Sequence, residues 1–307
     1  GLNTFQEEAK NYFGSDGPPR LNPFFIPKMI ADMAAGQISI KHELRGPNYV
    51  TVSACASATN ALIDSFNLIR LGKSDAIVTG GSEACVNEMG MGGFNALRAL
   101  STRNDSPQTA SRPFDVDRDG FVLGEGSGAL ILEEYEHAIK RGANIYAEVI
   151  GSGMSADAYH MTAPHPEGLG AMNTMLSALD DANITPADVD YVNVHGTSTP
   201  LGDVAEVKAI QSVFGEKAYD LNISSTKSMT GHLLGAAGAI EAIACVMAVK
   251  EDIVPPTINH FTDDPNLDPK LNFTFNKAEK RTVNIALSNT FGFGGHNTSV
   301  IVKKYKP

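Results

Sequence analysis

The sequence predicts an α/β protein with mostly parallel or mixed sheets. Three observations carry that expectation. Short apolar runs of strand length alternate along the chain with segments whose apolar residues recur at helical spacing. Hydrophobic residues make up 42% of the 307 residues and charged residues only 19%, which supplies a large core and argues against disorder. Breaks fall at Gly and Pro between these runs, with no low-complexity tract or Ser-rich linker, so about two closely packed domains are expected.

In chain order, the first 45 or so residues hold Pro18, Pro19, Pro23 and Pro27 and then an Ala-rich run over residues 29–36. They read as loop followed by a short helix. Residues 49–53 form a brief β-branched run, and residues 56–71 have helical periodicity ended by Gly72. Residues 76–79 read as a strand, and residues 101–120, polar and charged, as a surface loop. A buried strand over 128–132 is followed by a helix over 133–141 that Gly142 stops. From Ile145 the pattern restarts: strand 147–151, helix 170–182, strand 191–194, helix 203–214, a long apolar helix 235–250, and two closing strands, 284–288 and 298–302. A strand, a reactive-looking loop and a helix occur around Cys55 and again around His195, which hints at a duplication. The expected division is residues 1–144 and residues 145–307.

Composition excludes several functions. Twenty-four basic against 35 acidic residues give a formal charge of −11, unsuited to a general nucleic-acid binder. Three separated cysteines, Cys55, Cys85 and Cys245, exclude a disulfide scaffold and a Cys-rich zinc module and suit a reducing compartment. No window reaches the ~18 apolar residues of a membrane span, and no signal peptide is evident. A cytoplasmic protein without membrane or nucleic-acid partners is therefore expected.

Four loops carry candidate chemistry. Cys55 sits at a predicted strand-to-helix junction among Ala54, Ala56 and Ala58. The helix dipole and backbone N–H groups there would lower a thiol's pKa, and the small neighbours would admit a substrate; packing as an inert small hydrophobe is the alternative. His195 follows a strand and opens His195-Gly196-Thr197-Ser198-Thr199-Pro200-Leu201-Gly202-Asp203, where α/β proteins place reactive groups and where helices are also capped. Lys227 and His232 share a Gly/Ser/Thr-rich loop that reads as a polar pocket or as a structural lead into the next helix. The glycines of Asn289 to Asn297 suit either a plain hairpin or an oxyanion site of exposed N–H groups beside an aromatic gate. One thiol with two loop histidines suits thioester chemistry: a sulfur attacks an acyl carbonyl, N–H groups hold the oxyanion, and neutral imidazoles stabilise an enolate. The spacings give no zinc motif and no P-loop, so no metal is expected.

Together these segments resemble the β-ketoacyl-[acyl carrier protein] synthases of the thiolase superfamily. The signatures are Ala54-Cys55-Ala56-Ser57, Gly80-Gly81-Ser82-Glu83, Ser111-Arg112-Pro113-Phe114-Asp115, Gly120 to Gly126, His195 to Asp203, Lys227 to His232, and Phe291 to Gly295, in order along the chain. Asp157 to Pro164 is most similar to the synthase II subtype, which elongates long-chain acyl groups. The resemblance implies a thiolase-like fold of two duplicated α/β halves in αβαβα layers. It implies Cys55 as the acylated nucleophile, His195 and His232 as the pair that drives decarboxylation and holds the enolate, and Lys227 as their electrostatic orienter. The N–H groups of Cys55 and Phe293 would form the oxyanion hole, with Phe293 as gate. Thr197 and Thr199 would contact a phosphopantetheine arm, with Phe291, His160 and Thr162 also binding substrate. That arm belongs to an acyl carrier protein, so no cofactor of the enzyme's own is implied. Arg20 and Arg98 match carrier-contacting positions, and a homodimer is implied. Such synthases are longer by about a hundred N-terminal residues, so an N-terminal half lacking strands and leaving apolar faces uncovered is expected.

An inactive fragment or a chain-length-determining partner subunit is the rival reading, which Cys55 argues against for a native partner subunit. A papain-like protease shares the Cys-to-His spacing but needs a local signature with Trp, and the chain has none. A degradative thiolase would carry a second catalytic Cys in the last Gly-rich loop, where Phe293-Gly294-Gly295-His296 stands.

Overall fold

The computed structural model describes residues 1–18 and 20–307. Helices open the chain: α1 (Leu2–Phe13), α2 (Phe25–Met29) and α3 (Met33–His42). The loop expected over the first residues is therefore corrected to a twelve-residue helix at α1. Its apolar Leu2, Phe5 and Tyr12 lie at helical spacing yet remain substantially exposed. Residues 49–53 pair with no strand, so the β-branched run there does not form one.

A 3-10 turn over Ala54–Ala56 leads into α4 (Ser57–Arg70). Ala58, Thr59, Leu62, Ile63 and Ser65 form its buried stripe, and Gly72, at φ +64°, ends it as expected. Strand β1 (Ala76–Glu83), helix α5 (Glu88–Ala96) and strand β2 (Gly126–Glu133) follow, then α6 (Tyr135–Lys140). β1 and β2 pair antiparallel from Ala76↔Glu133 to Glu83↔Gly126 as a two-stranded ribbon. Gly81 lets the ribbon approach α4, since a Cβ there would lie 2.7 Å from the Ala58 methyl.

The remaining chain supplies β3 (Ala147–Ala156), α7 (Leu169–Asp181), β4 (Tyr191–Asn193), α8 (Pro200–Phe214), β5 (Asn222–Ser224), α9 (Lys227–Thr230) and α10 (Ala237–Glu251). Short β6 (Ile253–Val254) and β7 (Glu279–Lys280) pair with each other before β8 (Ile285–Gly292) and β9 (His296–Lys304) close the chain as a hairpin. A mixed five-stranded sheet has the order β3-β9-β8-β4-β5, with β4 parallel to β5 and β8 and the other pairs antiparallel.

The layers stack as α7 on one face of this sheet, then the sheet, then α4 with α10, then the ribbon. The main apolar cluster lies between α7, α8 and the sheet, around Met175, Ile210, Val192 and Leu287. α10 is buried on many sides, in line with its Ala-rich apolar sequence. The ribbon's far side leaves Val78 and Ile131 exposed, Ile131 at 70%.

Residues 101–120 are the largest correction. Ser111, Arg112, Phe114, Asp115 and Arg118 are buried, because their charges are paired inside the protein. Arg118 lies 2.6 Å from Asp264 and 3.3 Å from Asp203, and Asp115 accepts the N–H groups of Phe261 and Thr262. Charge in a sequence signals solvent only where no partner is available to satisfy it. Among the described residues no helix is long and apolar enough to cross a membrane.

Candidate active site

Cys55 lies on the 3-10 turn just before α4, 8% exposed, with its Sγ 3.1 Å from Nε2 of His232. His232 follows α9 and is held by its backbone: its N–H donates to the Val122 carbonyl (2.7 Å), and its carbonyl accepts from Gly124 N–H (3.0 Å). Its ring stands edge-on to Phe121 and to His195, with centroids 5.3 Å from each. His195 leaves the end of β4, and Phe291 packs 5.7 Å from it. The three groups named from sequence thus converge, from positions 177 residues apart in the case of Cys55 and His232.

Of the groups that hold them, sequence reasoning named Lys227 and missed the rest. Glu206, on α8 and 2% exposed, accepts the backbone N–H groups of His195 (2.9 Å) and Gly196 (2.8 Å) and an amide N–H of Asn289 (3.3 Å). The signal available was a lone acid on an otherwise apolar stretch of helix, three residues after Asp203. Lys227, 1% exposed, is ion-paired with Glu241 of α10. The other oxygen of Glu241 accepts from Thr290, whose hydroxyl is 2.9 Å from that of Thr59. Ser111 donates to the Lys227 carbonyl (2.7 Å), so the segment read as surface loop braces this corner.

Burial drives both imidazoles well below the ordinary histidine value, and the Lys227 ammonium pushes in the same direction. Both rings are neutral at pH 7. Cys55 moves opposite to the expectation: burial raises its thiol to about 11, against the pull of Lys227 and of the Phe293 N–H. The helix start is present, but desolvation outweighs it. Proton transfer to His232 Nε2, at hydrogen-bond distance, is then the route to a nucleophilic sulfur. Burial also raises Glu206 to about 7, against the two N–H groups it accepts.

A cavity of about 330 Å³ opens onto Cys55, His195 and His232. Thr162, Thr197, Thr199, Phe291, Phe293 and Arg98 also line it. The Thr197 and Thr199 hydroxyls are 3.0 Å apart, and Arg118 reaches the carbonyl of Pro200 at 3.1 Å, which fixes that wall. Two proposed site residues lie elsewhere. His160 is exposed and outside the cavity lining; its Nδ1 accepts the N–H groups of Thr162 and Ala163, which shapes the loop. Arg20 is exposed and far along the chain from every lining residue, while Arg98 is at the cavity itself. The Gly-rich segment is a tight hairpin turn between β8 and β9. Gly292 is required there, because a Cβ would meet the Ser53 carbonyl at 2.7 Å and the Cys55 nitrogen at 3.1 Å.

Comparison with known proteins identifies the family. Residues 1–138 match the family model for the β-ketoacyl synthase N-terminal domain, and residues 146–261 that for the C-terminal domain. The 3-oxoacyl-[acyl-carrier-protein] synthase 2 of Staphylococcus aureus is 52% identical over 306 residues, covering 100% of this chain and 73% of that protein. The Synechocystis protein of the same name is 52% identical over 300 residues, covering 98% of this chain and 72% of its own length. Among solved structures, a type II polyketide ketosynthase in complex with its acyl-carrier protein superposes with a TM-score of 0.94 at 35% identity, covering 99% of this chain and 76% of that one. Matching both domains of the family model and sharing its fold with solved ketosynthases, the chain belongs to the β-ketoacyl synthase family.

Proposed function

We propose that this chain is an acyltransferase that condenses an acyl group carried on Cys55 with malonyl-acyl carrier protein, giving 3-oxoacyl-acyl carrier protein in fatty acid elongation. The observation that carries the reading is the Cys55 thiol 3.1 Å from a neutral His232, with neutral His195 beside it in one cavity.

In the first half-reaction the Cys55 sulfur adds to the acyl thioester carbonyl. The thiol proton passes to His232 and leaves on the departing carrier thiol, so Cys55 ends as a thioester. The N–H groups of Cys55 and Phe293 hold the oxyanion. In the second, the malonyl C–C bond breaks, carbon dioxide departs, and the N–H groups of His195 and His232 hold the enolate oxygen. The enolate carbon attacks the Cys55 thioester, a C–C bond forms, and the C–S bond breaks. The released sulfur takes up a proton. Neutral imidazoles suit this work, since each offers one N–H without burying a charge.

Lys227 orients the pair through its field. Thr197, Thr199, Thr162 and Phe291 receive the phosphopantetheine arm that the carrier brings, so the enzyme needs no cofactor of its own. Phe293 serves as gate, and Arg98 at the cavity mouth meets the acidic carrier. Two copies pair through the exposed apolar segment that includes Phe24, Ile26, Ile40 and Val52, and the cytoplasm is the proposed compartment.

Intact-mass measurement after incubation with an acyl thioester tests the assignment. The native chain gains one acyl group and Cys55→Ala gains none; equal labelling of both would overturn it. Arg98→Glu should raise KM for the carrier-borne substrate and flatten its salt dependence, and an unchanged KM would remove Arg98 from the interface.

A further inference from the structure

The turn that carries Cys55 is strained. Ala54 has φ +51°, a left-handed conformation that costs an alanine roughly 1–2 kcal/mol. Such a residue persists only where its surroundings over-determine it. Here the Ser57 side chain supplies two of those restraints, beside the Ser57 N–H, which also donates to the Ala54 carbonyl, and the Ala56 N–H, which donates to the Ser53 carbonyl at 3.0 Å. The Ser57 hydroxyl donates to the Ala54 carbonyl at 2.7 Å and accepts the Ser53 N–H at 2.9 Å, so it clasps the turn from both sides. Asn60, one helical turn further along α4, donates to the Ser53 hydroxyl at 2.7 Å and fixes the same strand end.

The Ala54 carbonyl and the Cys55 N–H belong to one planar peptide, in which they point in opposite directions. Whatever fixes the carbonyl therefore aims the N–H. We infer that Ser57 is a positioning residue: by holding the Ala54 carbonyl it turns the Cys55 N–H toward the oxyanion. This rests on the reading of Cys55 as the acylated nucleophile. Ser57 touches no reacting atom. Without its hydroxyl the turn loses both clasping bonds, Ala54 relaxes, and the oxyanion loses an aligned donor while the sulfur stays in place.

Two reactions of Cys55 separate this role from a merely structural one. Acyl transfer from a pantetheine thioester passes through an oxyanion, whereas alkylation by iodoacetamide does not. Ser57→Ala should slow acyl transfer by about tenfold to a hundredfold and alkylation by less than about threefold, at one pH. Ser57→Thr, which keeps the hydroxyl, should recover most of the transfer. An equal fall in both rates, or undiminished acyl transfer in Ser57→Ala, would overturn the inference. If the native chain is alkylated at Cys55 but takes up no acyl group from the thioester, the nucleophile reading itself falls and this one with it.

Discussion

The five-stranded sheet and the two-stranded ribbon show how differently similar sequences are used. In β8 the six residues from Ile285 to Thr290 are all buried, and in β9 so are the six from Asn297 to Val302. The ribbon strands alternate, with Leu130 and Leu132 turned toward α10 and Ala129 and Ile131 toward solvent. The two imidazoles and Lys227 hang from the enclosed sheet and its loops, whereas Cys55 hangs from the helix layer between sheet and ribbon. The site is thus a seam. Its acid–base members are held by a rigid frame, and its nucleophile depends on how α4 is seated against that frame.

Removing charge from the enclosed side should have the largest effect. Lys227→Ala leaves Glu241 buried without its cation, a loss of about 3–5 kcal/mol in stability near pH 8, read by urea unfolding. The sign with pH follows from Glu241, whose carboxyl burial already raises above its ordinary 4.5. Without Lys227 the folded state binds a proton in the window above 4.5 that the unfolded state does not, so the variant regains stability as pH falls through that window. A deficit that is constant from pH 8 to 5 would show that Glu241 keeps its charge.

Next come paired truncations. Leu287→Ala, at a fully buried position of β8, should cost about 2–5 kcal/mol. Ile131→Ala on the exposed side of the ribbon should cost under about 0.5 kcal/mol. Similar losses at both sites would mean that the two regions are equally enclosed.

The smallest effect is a matter of profile. With its thiol raised to about 11, Cys55 should be alkylated ever faster as pH rises through 9 and 10, where a free thiol near 8.5 would already level off. A plateau below pH 8 would mean that His232 stabilises a resting thiolate.

Much of this was legible in the sequence. In the second half β4, β8 and β9 were read from short apolar runs that the sheet buries, while β5 over Asn222–Ser224, buried but only three residues long, was not. Cys55, His195, His232 and Lys227 were marked by their loop positions between strands and helices. Other features were not legible, Glu206 behind the His195 loop among them. Helix α1 carries Leu2, Phe5 and Tyr12 at helical spacing but buries no residue, and the reading of the first residues as loop, drawn from their prolines, passed over it. The 101–120 segment satisfies its charges with Asp203 and Asp264, partners 85 or more residues beyond Arg118. The Cys55 pKa depends on total burial, which local sequence does not encode; the helix start alone predicted the wrong direction.

The separation of Cys55 from His232 has a consequence for synthesis. A chain made from its N-terminus exposes the thiol while its proton acceptor, 177 residues later, does not yet exist. His232 in turn docks on Val122 and Gly124, and Ser198 on Gly120 and Arg112, so both histidine loops close onto a segment made well before them. Long-range closures of this kind form late. A half-made chain therefore carries an ordinary free thiol without its proton acceptor, and acyl-transfer competence arrives only with completion of the fold.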